Sequence, residues 1–164
     1  MAEIKNSNLL DIDTGILKKD ASIVLVKTEW NAAIADQLER GCIAQLEKSG
    51  VKEIIVLTVP GAVEIPFAIK SYWENAAKKD KPDAFIALGC VIKGDTPHFD
   101  YVCKMVAEGV THLNLMLPAP TIFGVLTVNT EEQAMERIGG KHGHKGEEAA
   151  ITALKMITLA ESFK

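Results

Sequence analysis

Hydrophobic and polar positions alternate along this chain with two different periods. Short runs rich in Val, Ile, Leu and Ala are typical of strands buried on both faces, whereas the longer segments between them repeat apolar side chains every three or four residues, as helices do. The pattern predicts four strands, over residues 22–26, 53–59, 84–88 and 121–128. It predicts helices over residues 31–48, 62–78, 97–116, 131–137 and 147–163, with a loop over residues 139–146.

The order of these elements indicates the fold class. Strands that alternate with helices form a parallel sheet covered on both faces. We therefore predict an α/β fold: a three-layer αβα sandwich around a four-stranded, doubly wound parallel sheet of the flavodoxin-like type. The 164 residues are most simply one domain, residues 1–164. Residues 1–20 show no strong period, and they are either a flexible arm or an edge strand docked on a neighbour.

Composition narrows the class of protein. The three cysteines form no CxxC pair, which argues against a disulfide framework and a zinc knuckle. The first residues lack the regions of a signal peptide, and no apolar run approaches the roughly 18 residues that span a bilayer. A net charge of -4 without a basic cluster gives little support for binding nucleic acid or membranes. We expect a cytoplasmic protein that binds small molecules.

Residues 89–101 carry the strongest local signal for chemistry. They follow an apolar strand and lead into a helix, and in parallel sheets ligands bind in the loops that leave the carboxyl ends of strands. Thr96 suits the N-cap and Pro97 the first helical position, so free backbone N–H groups there can hold an anion. His98 can move protons near neutral pH. Because the Asp95 carboxylate would repel phosphate, we expect it to point away from the bound anion.

Most other candidate residues allow two interpretations. Trp30 is either part of the core or a surface on which a planar ring stacks. In the second case, the Asn31 amide would form hydrogen bonds with the edge of that ring. Glu64 either favours a helix dipole or binds a ligand hydroxyl. Arg137 is either a solvated charge or a bidentate phosphate ligand. His98 itself is either an exposed residue at a helix start or a proton carrier.

The remaining histidines point to no metal site. Lysines flank His142 and His144, and neither carboxylate nor cysteine joins them locally, so a metal site is disfavoured. His112 lies 14 residues beyond His98, roughly 21 Å along a helix. The two cannot share a small substrate, and His112 is expected to be structural.

Three motifs together resemble the 6,7-dimethyl-8-ribityllumazine synthase family. The first is Pro-Gly-Ala-Val-Glu-Ile-Pro over residues 60–66, and the second is residues 89–101. The third runs from residues 122–127 through residues 136–143. The resemblance extends from about Ser22 to the carboxyl end, with the family spacing preserved.

The resemblance implies a transferase in the penultimate step of riboflavin biosynthesis. Such an enzyme condenses 5-amino-6-(D-ribitylamino)uracil with 3,4-dihydroxy-2-butanone 4-phosphate and releases phosphate and water. It implies no cofactor and no metal. It also implies a homo-oligomer whose active sites lie between neighbouring subunits of a pentamer, with riboflavin synthase as a candidate partner.

The resemblance further assigns roles to individual residues. Catalysis would fall to His98, which shuttles protons, and Arg137, which stabilises the departing phosphate. Phosphate would be held by the backbone of Asp95 and Thr96, the Thr96 hydroxyl, and Arg137. The pyrimidine and ribityl chain would contact Trp30, Asn31, Ala62, Val63, Glu64, Cys90, Val91, Ile92, Phe123 and Lys145. The adjacent subunit would supply Phe123, Arg137 and Lys145.

The chain departs from the common family pattern at three positions. Cys90 stands where many relatives have threonine, Lys93 where arginine is common, and His144 where asparagine is frequent. The short loop favours a 60-subunit icosahedral shell, but His144 leaves pentamer, decamer and shell open. The alternative function is a catalytically weak structural cage or a flavin- or lumazine-binding protein of the same fold. A flavodoxin-like carrier is disfavoured, because no Ser/Thr/Gly-rich phosphate loop follows the first strand.

Overall fold

A computed structural model describes residues 7–10 and 21–164 of the chain. A four-stranded parallel sheet lies at its centre, with the strand order β2-β1-β3-β4. The strands are β1 (Ser22–Thr28), β2 (Glu53–Val59), β3 (Ala84–Ile92) and β4 (Thr121–Val128). The predicted α/β class and four-stranded parallel sheet are confirmed.

Five helices connect and cover the strands of the described part of the chain. Each helix predicted from the hydrophobic period corresponds to one of these five, although the ends differ by a few residues. They are α1 (Ala32–Lys48), α2 (Ile65–Asn75), α3 (His98–Met116), α4 (Glu131–Met135) and α5 (Lys145–Glu161). Across residues 7–10 and 21–164, no helix combines the length and apolarity needed to cross a membrane.

The sheet separates two hydrophobic cores, because alternate side chains of each strand point to opposite faces. On one face Leu25 and Ile86 pack with Leu38 of α1 and Leu154 of α5. The other face carries the second core, built with α2 and α3 from Val24, Val26, Phe85, Ile65, Ile69 and Val106. The helices therefore cover both faces, and the carboxyl ends of the strands share one open edge.

Several predicted boundaries were wrong. The predicted helix over residues 62–78 is a 3-10 turn (Ala62–Glu64) followed by α2, with a second 3-10 turn at Lys78–Asp80. The predicted loop over residues 139–146 contains an antiparallel pair, β5 (Ile138–Gly140) and β6 (Gly143–His144), and α5 begins within it. Gly139 and Gly143 have positive φ angles of 107° and 80°, a conformation that favours glycine and lets the chain reverse tightly.

Helices α1 and α5 approach each other closely at Gly146. A Cβ atom at this position would lie 2.1 Å from the carbonyl oxygen of Leu38, so no larger residue fits. The close approach fixes the first turn of α5, which carries Lys145 and Glu148.

Candidate active site

The carboxyl ends of β1 and β3 form the point where the chain reverses direction across the sheet. From β1 the chain proceeds outwards to β2 through α1, whereas from β3 it proceeds to β4 on the other side through α3. The loops that leave two such neighbouring strands diverge and open a crevice between them. The crevice here is a pocket of about 560 Å³.

Most of the residues predicted to form a site at the ends of the strands line this pocket. They come from the turn after β1, the 3-10 turn after β2, the end of β3 and the start of α3. Together they are Trp30, Asn31, Ala62, Val63, Glu64, Cys90, Val91, Ile92 and His98, with Gly61 beside them.

The turn after β1 presents Trp30 to solvent. Its side chain is 73% exposed, which excludes the interpretation of Trp30 as a core residue. Asn31 adopts the left-handed conformation with φ 56°, which asparagine tolerates better than most residues. Its side-chain Nδ2 donates a hydrogen bond of 2.9 Å to the carbonyl oxygen of Cys90. This bond joins the turn to the end of β3 and leaves the Asn31 Oδ1 as the atom available to a ligand.

The turn after β2 forms the neighbouring wall. A Cβ atom at Gly61 would lie 2.9 Å from Oε2 of Glu64 and 3.5 Å from Cδ1 of Trp30. The absence of a side chain at Gly61 therefore lets the Glu64 carboxylate and the Trp30 ring lie close together. A ligand that stacks on the ring can thus reach a carboxylate that accepts hydrogen bonds from hydroxyl groups.

Helix α3 contributes more to the pocket than the sequence indicated. Tyr101, Val102 and Met105 line it together with His98. Their spacing of three, four and seven residues from His98 places them on one side of the helix. This helical spacing is visible in the sequence, and it would have identified all three residues.

The predicted anion cradle lies at the mouth of the pocket. Asp95 and Thr96 are exposed in the turn before α3, next to His98. The expectation that Thr96 is the N-cap was wrong by one position: α3 begins at His98 and Pro97 precedes it. Thr96 still contributes, since its hydroxyl oxygen accepts a hydrogen bond of 3.4 Å from the His98 backbone N–H.

Arg137 lies in a second, closed region. Its Nη1 and Nη2 each donate a hydrogen bond of 2.8 Å to the Glu148 carboxylate, a bidentate pair, and Nη1 also donates to the carbonyl oxygen of His142. The Arg137 side chain is 11% exposed, that of Glu148 only 9%, and Lys145 Nζ lies 3.7 Å from Glu148 Oε2. The interpretation of Arg137 as a solvated charge was therefore wrong. Sequence reasoning missed Glu148, whose place in the first turn of α5 indicates only a favourable helix dipole.

The residues that the resemblance assigned to an adjacent subunit do not line the pocket of their own chain. Phe123 is half-buried in β4 and packs against the core shared with α2 and α3. Arg137 and Lys145 belong to the Glu148 cluster. The chain thus presents two separate sets of candidate residues.

Comparisons with known proteins show the family of the chain. The family model for 6,7-dimethyl-8-ribityllumazine synthase matches residues 20–161, which include both the pocket and the Arg137 region. The chain belongs to the 6,7-dimethyl-8-ribityllumazine synthase family.

Relatives of that name share about half of the aligned positions. The Bacteroides fragilis protein is 52% identical over 140 residues, which are 84% of this chain and 95% of the relative. The Parabacteroides distasonis protein is 48% identical over 143 residues, 86% of this chain and 87% of the relative. The Flavobacterium psychrophilum protein is 43% identical over 160 residues, 95% of this chain and 82% of the relative.

Cys90 and His144, two of the positions expected to depart from the common family pattern, have well-defined surroundings in the fold. Burial, followed by the nearby charge of Glu131, raises the pKa of Cys90 to about 11, so its thiol is protonated and poorly nucleophilic at neutral pH. His144 Nδ1 accepts a hydrogen bond of 3.1 Å from the Gly146 N–H and caps α5. Its ring lies against Gly41, where a Cβ atom would be 2.2 Å away.

The histidine pair of the short loop also has ordinary protein partners. His142 Nε2 lies 3.3 Å from Oε2 of Glu136, while His144 caps α5. Within residues 7–10 and 21–164, no cluster of three or more candidate ligands could hold a metal ion.

Proposed function

We propose that this chain condenses 5-amino-6-(D-ribitylamino)uracil with 3,4-dihydroxy-2-butanone 4-phosphate to give 6,7-dimethyl-8-ribityllumazine. The observation that carries the proposal is the pocket at the switch point of a lumazine synthase fold. It brings Trp30, Asn31 and His98 together from segments that are far apart in the sequence. We also propose a cytoplasmic location and riboflavin synthase as a candidate partner.

The wall formed by β1, β2 and β3 suits the pyrimidine substrate. The exposed ring of Trp30 offers a stacking surface, and Asn31 Oδ1 and the backbone at Val91 and Ile92 offer hydrogen-bonding groups to the ring edge. The ribityl hydroxyls are placed against Ala62, Val63 and Glu64. Separate elements of the pocket therefore bind the planar ring and the polyol chain.

The phosphate substrate requires a positive charge that the pocket wall does not carry. Among the residues that line the pocket there is neither lysine nor arginine. The backbone N–H groups near Thr96 and the start of α3 can hold an anion, but stabilisation of a departing phosphate is much stronger with a guanidinium. We assign that role to Arg137 of a neighbouring copy, with Phe123 and Lys145 beside it.

The reaction then needs only binding, orientation and proton transfer. The substrate amine attacks the ketone carbonyl, and loss of water gives an imine. A proton leaves carbon as phosphate departs, and ring closure releases the second water. His98 accepts and returns these protons at the mouth of the pocket, and Arg137 stabilises the phosphate. Holding both substrates in register supplies a large share of the rate.

The surface of α3 supports an assembly of copies. Tyr101, Met105, Leu115 and Met116 are large apolar residues, all exposed, on one side of this helix. A shared site between unlike surfaces is a heterologous contact, which gives a ring when the rotation between copies closes. We propose a homopentamer, and the short loop before α5 favours assembly of pentamers into an icosahedral shell.

The activity is tested by mixing the purified protein with both substrates and following lumazine formation. Turnover supports the enzyme, whereas tight binding of lumazine or flavin without turnover supports the alternative of a binding protein or cage. The mass of the particle in solution is measured on the same sample. A fully active monomer would contradict the shared site.

A further inference from the structure

A compact ionic cluster lies beside the pocket but outside its lining. Lys27, near the carboxyl end of β1, places its Nζ 2.7 Å from Oδ1 of Asp36 and within hydrogen-bond distance of Oε2 of Glu39. Both carboxylates belong to α1, where a spacing of three residues places them on one side of the helix. The Lys27 side chain is 18% exposed and that of Asp36 is 45% exposed, so the cluster lies at the protein surface.

Lys27 and Asp36 keep their charges at neutral pH. The hydrogen bonds that Lys27 donates to the carboxylates of Asp36 and then Glu39 raise the pKa of Lys27, and its burial opposes them only in part. The hydrogen bond from Lys27 lowers the pKa of the Asp36 carboxyl. The bridge between Lys27 and Asp36 is therefore ionic at neutral pH.

The bonds of Lys27 to Asp36 and Glu39 link the two ends of a short segment of chain that contains Trp30 and Asn31. On one side, the backbone N–H groups of Glu29 and Trp30 donate to the carbonyl oxygens of Val59 and Pro60, at 2.8 and 3.1 Å. On the other side, Asn31 Nδ2 donates to the end of β3. The turn is thus tied to both neighbouring strands.

Polar anchoring of the start of α1 is otherwise weak. Asn31 occupies the N-cap position but forms no side-chain capping bond. The first turn of α1 contains no acidic residue to favour the helix dipole. Lys27 bridges this junction, since it precedes the turn while its two carboxylate partners follow it.

We propose that Lys27 is a positioning residue for the pyrimidine substrate: its bridge to Asp36 and Glu39 holds the start of α1 on β1 and so keeps Trp30 and Asn31 in place. The assignment of the pyrimidine to these two residues rests on the proposed function. Lys27 itself does not contact the substrate, so it acts through the geometry of the turn.

The test compares Lys27→Met with the wild-type enzyme in steady-state assays. Methionine retains an unbranched chain but loses the ammonium. We expect KM for the pyrimidine to rise about tenfold, less than the 10²-fold that a 1 Å misplacement can cost, because the Asn31 bond to β3 remains. KM for the phosphate substrate and kcat are expected to change less than about twofold. Lys27→Arg should recover most of the pyrimidine affinity.

Two controls separate positioning from loss of stability. Lys70→Met removes an exposed ion pair to Glu74 on α2. Asn114→Ala removes the hydrogen bonds between Asn114 and Thr121 at the start of β4. Neither variant should change KM for the pyrimidine. Equal changes in both KM values, or an unchanged pyrimidine KM in Lys27→Met, would overturn the proposal.

A direct binding measurement keeps this proposal distinct from the reaction itself. The pyrimidine alone is titrated while tryptophan fluorescence is followed, and Glu39→Gln serves as a second variant if Lys27→Met does not fold. Weaker binding in the cluster variants supports positioning even if the wild-type protein proves inactive. Unchanged binding in Glu39→Gln and Lys27→Met overturns it even if the wild-type protein turns over normally.

Discussion

The pocket and the Arg137 cluster, two regions at the same edge of the sheet, differ in almost every physical respect. The pocket is open, its Trp30 ring is 73% exposed, and neither lysine nor arginine lines it. The Arg137 cluster is buried, and Glu148 binds both terminal nitrogens of its guanidinium. One region is open but lacks the cation, while the other holds the cation in a buried pair with Glu148.

This difference suggests a division of labour between copies of the chain. The buried Glu148 carboxylate holds the Arg137 guanidinium in one orientation. Arg137 Nε has no hydrogen-bond partner among the described residues, and Nη2 carries a second hydrogen beyond the one given to Glu148. Nε is buried within its own chain, so a further acceptor such as a phosphate oxygen is expected at the free hydrogen of Nη2 rather than at Nε.

Removal of Arg137 is expected to have the largest effect. Arg137→Ala leaves the Glu148 carboxylate buried without its main partner, which costs about 3–5 kcal/mol of unfolding free energy in typical buried pairs. Binding of the phosphate substrate should weaken by roughly 1.5–3 kcal/mol, the usual worth of a charged hydrogen bond. Chemical unfolding at fixed protein concentration and KM for each substrate measure the two effects.

A double variant separates the two roles of this arginine. Arg137→Met combined with Glu148→Leu replaces the buried ion pair by apolar side chains and should restore stability. It should not restore affinity for the phosphate substrate. If Arg137→Ala weakens only pyrimidine binding, the two substrates have been placed in reverse.

Removal of His98 tests the open region at its mouth. His98→Ala should slow turnover by about 10² or somewhat less, because water can replace a general acid–base catalyst in part. Stability should hardly change, since His98 is exposed. The measurement is kcat with both substrates saturating, and an unchanged kcat would remove His98 from the mechanism.

Removal of the stacking ring should have a smaller effect, limited to one substrate. Trp30→Ala should cost about 0.5–1.5 kcal/mol of pyrimidine affinity, the usual worth of an aromatic pair. Phe163→Ala, an equally exposed aromatic far along the chain, is the matched control and should leave this affinity intact. Equal losses in both variants would show that Trp30 does not stack on the substrate.

The open region could be predicted from the sequence better than the closed one. The hydrophobic period and the predicted ends of the strands placed Trp30, Glu64 and His98 at one edge of the sheet, because parallel strands bring their carboxyl ends together. The end of β3 was harder to predict, since Gly89 resembles a turn residue. In the fold Gly89 continues the strand. Glycine is required there because a Cβ atom would lie 2.8 Å from Thr28 Cγ2 on the neighbouring strand.

The closed region depends on contacts that no local pattern contains. Glu148 meets Arg137 only because the β5–β6 hairpin and the close approach of α5 to Gly146 bring them together across 11 residues. Sequence periodicity identifies α5 but does not reveal that a charged residue of its first turn is buried. The hairpin itself escaped prediction because its strands contain only three and two residues.

Complementation between two impaired variants tests the shared site most directly. His98→Ala and Arg137→Ala are co-expressed at equal levels and purified as mixed oligomers, with each variant alone as the control. If neighbouring copies share each site, about a quarter of the sites in a randomly mixed ring combine an intact His98 with an intact Arg137. Activity should then rise to about a quarter of the wild-type value. Activity no higher than the mean of the two separate variants would contradict the shared site.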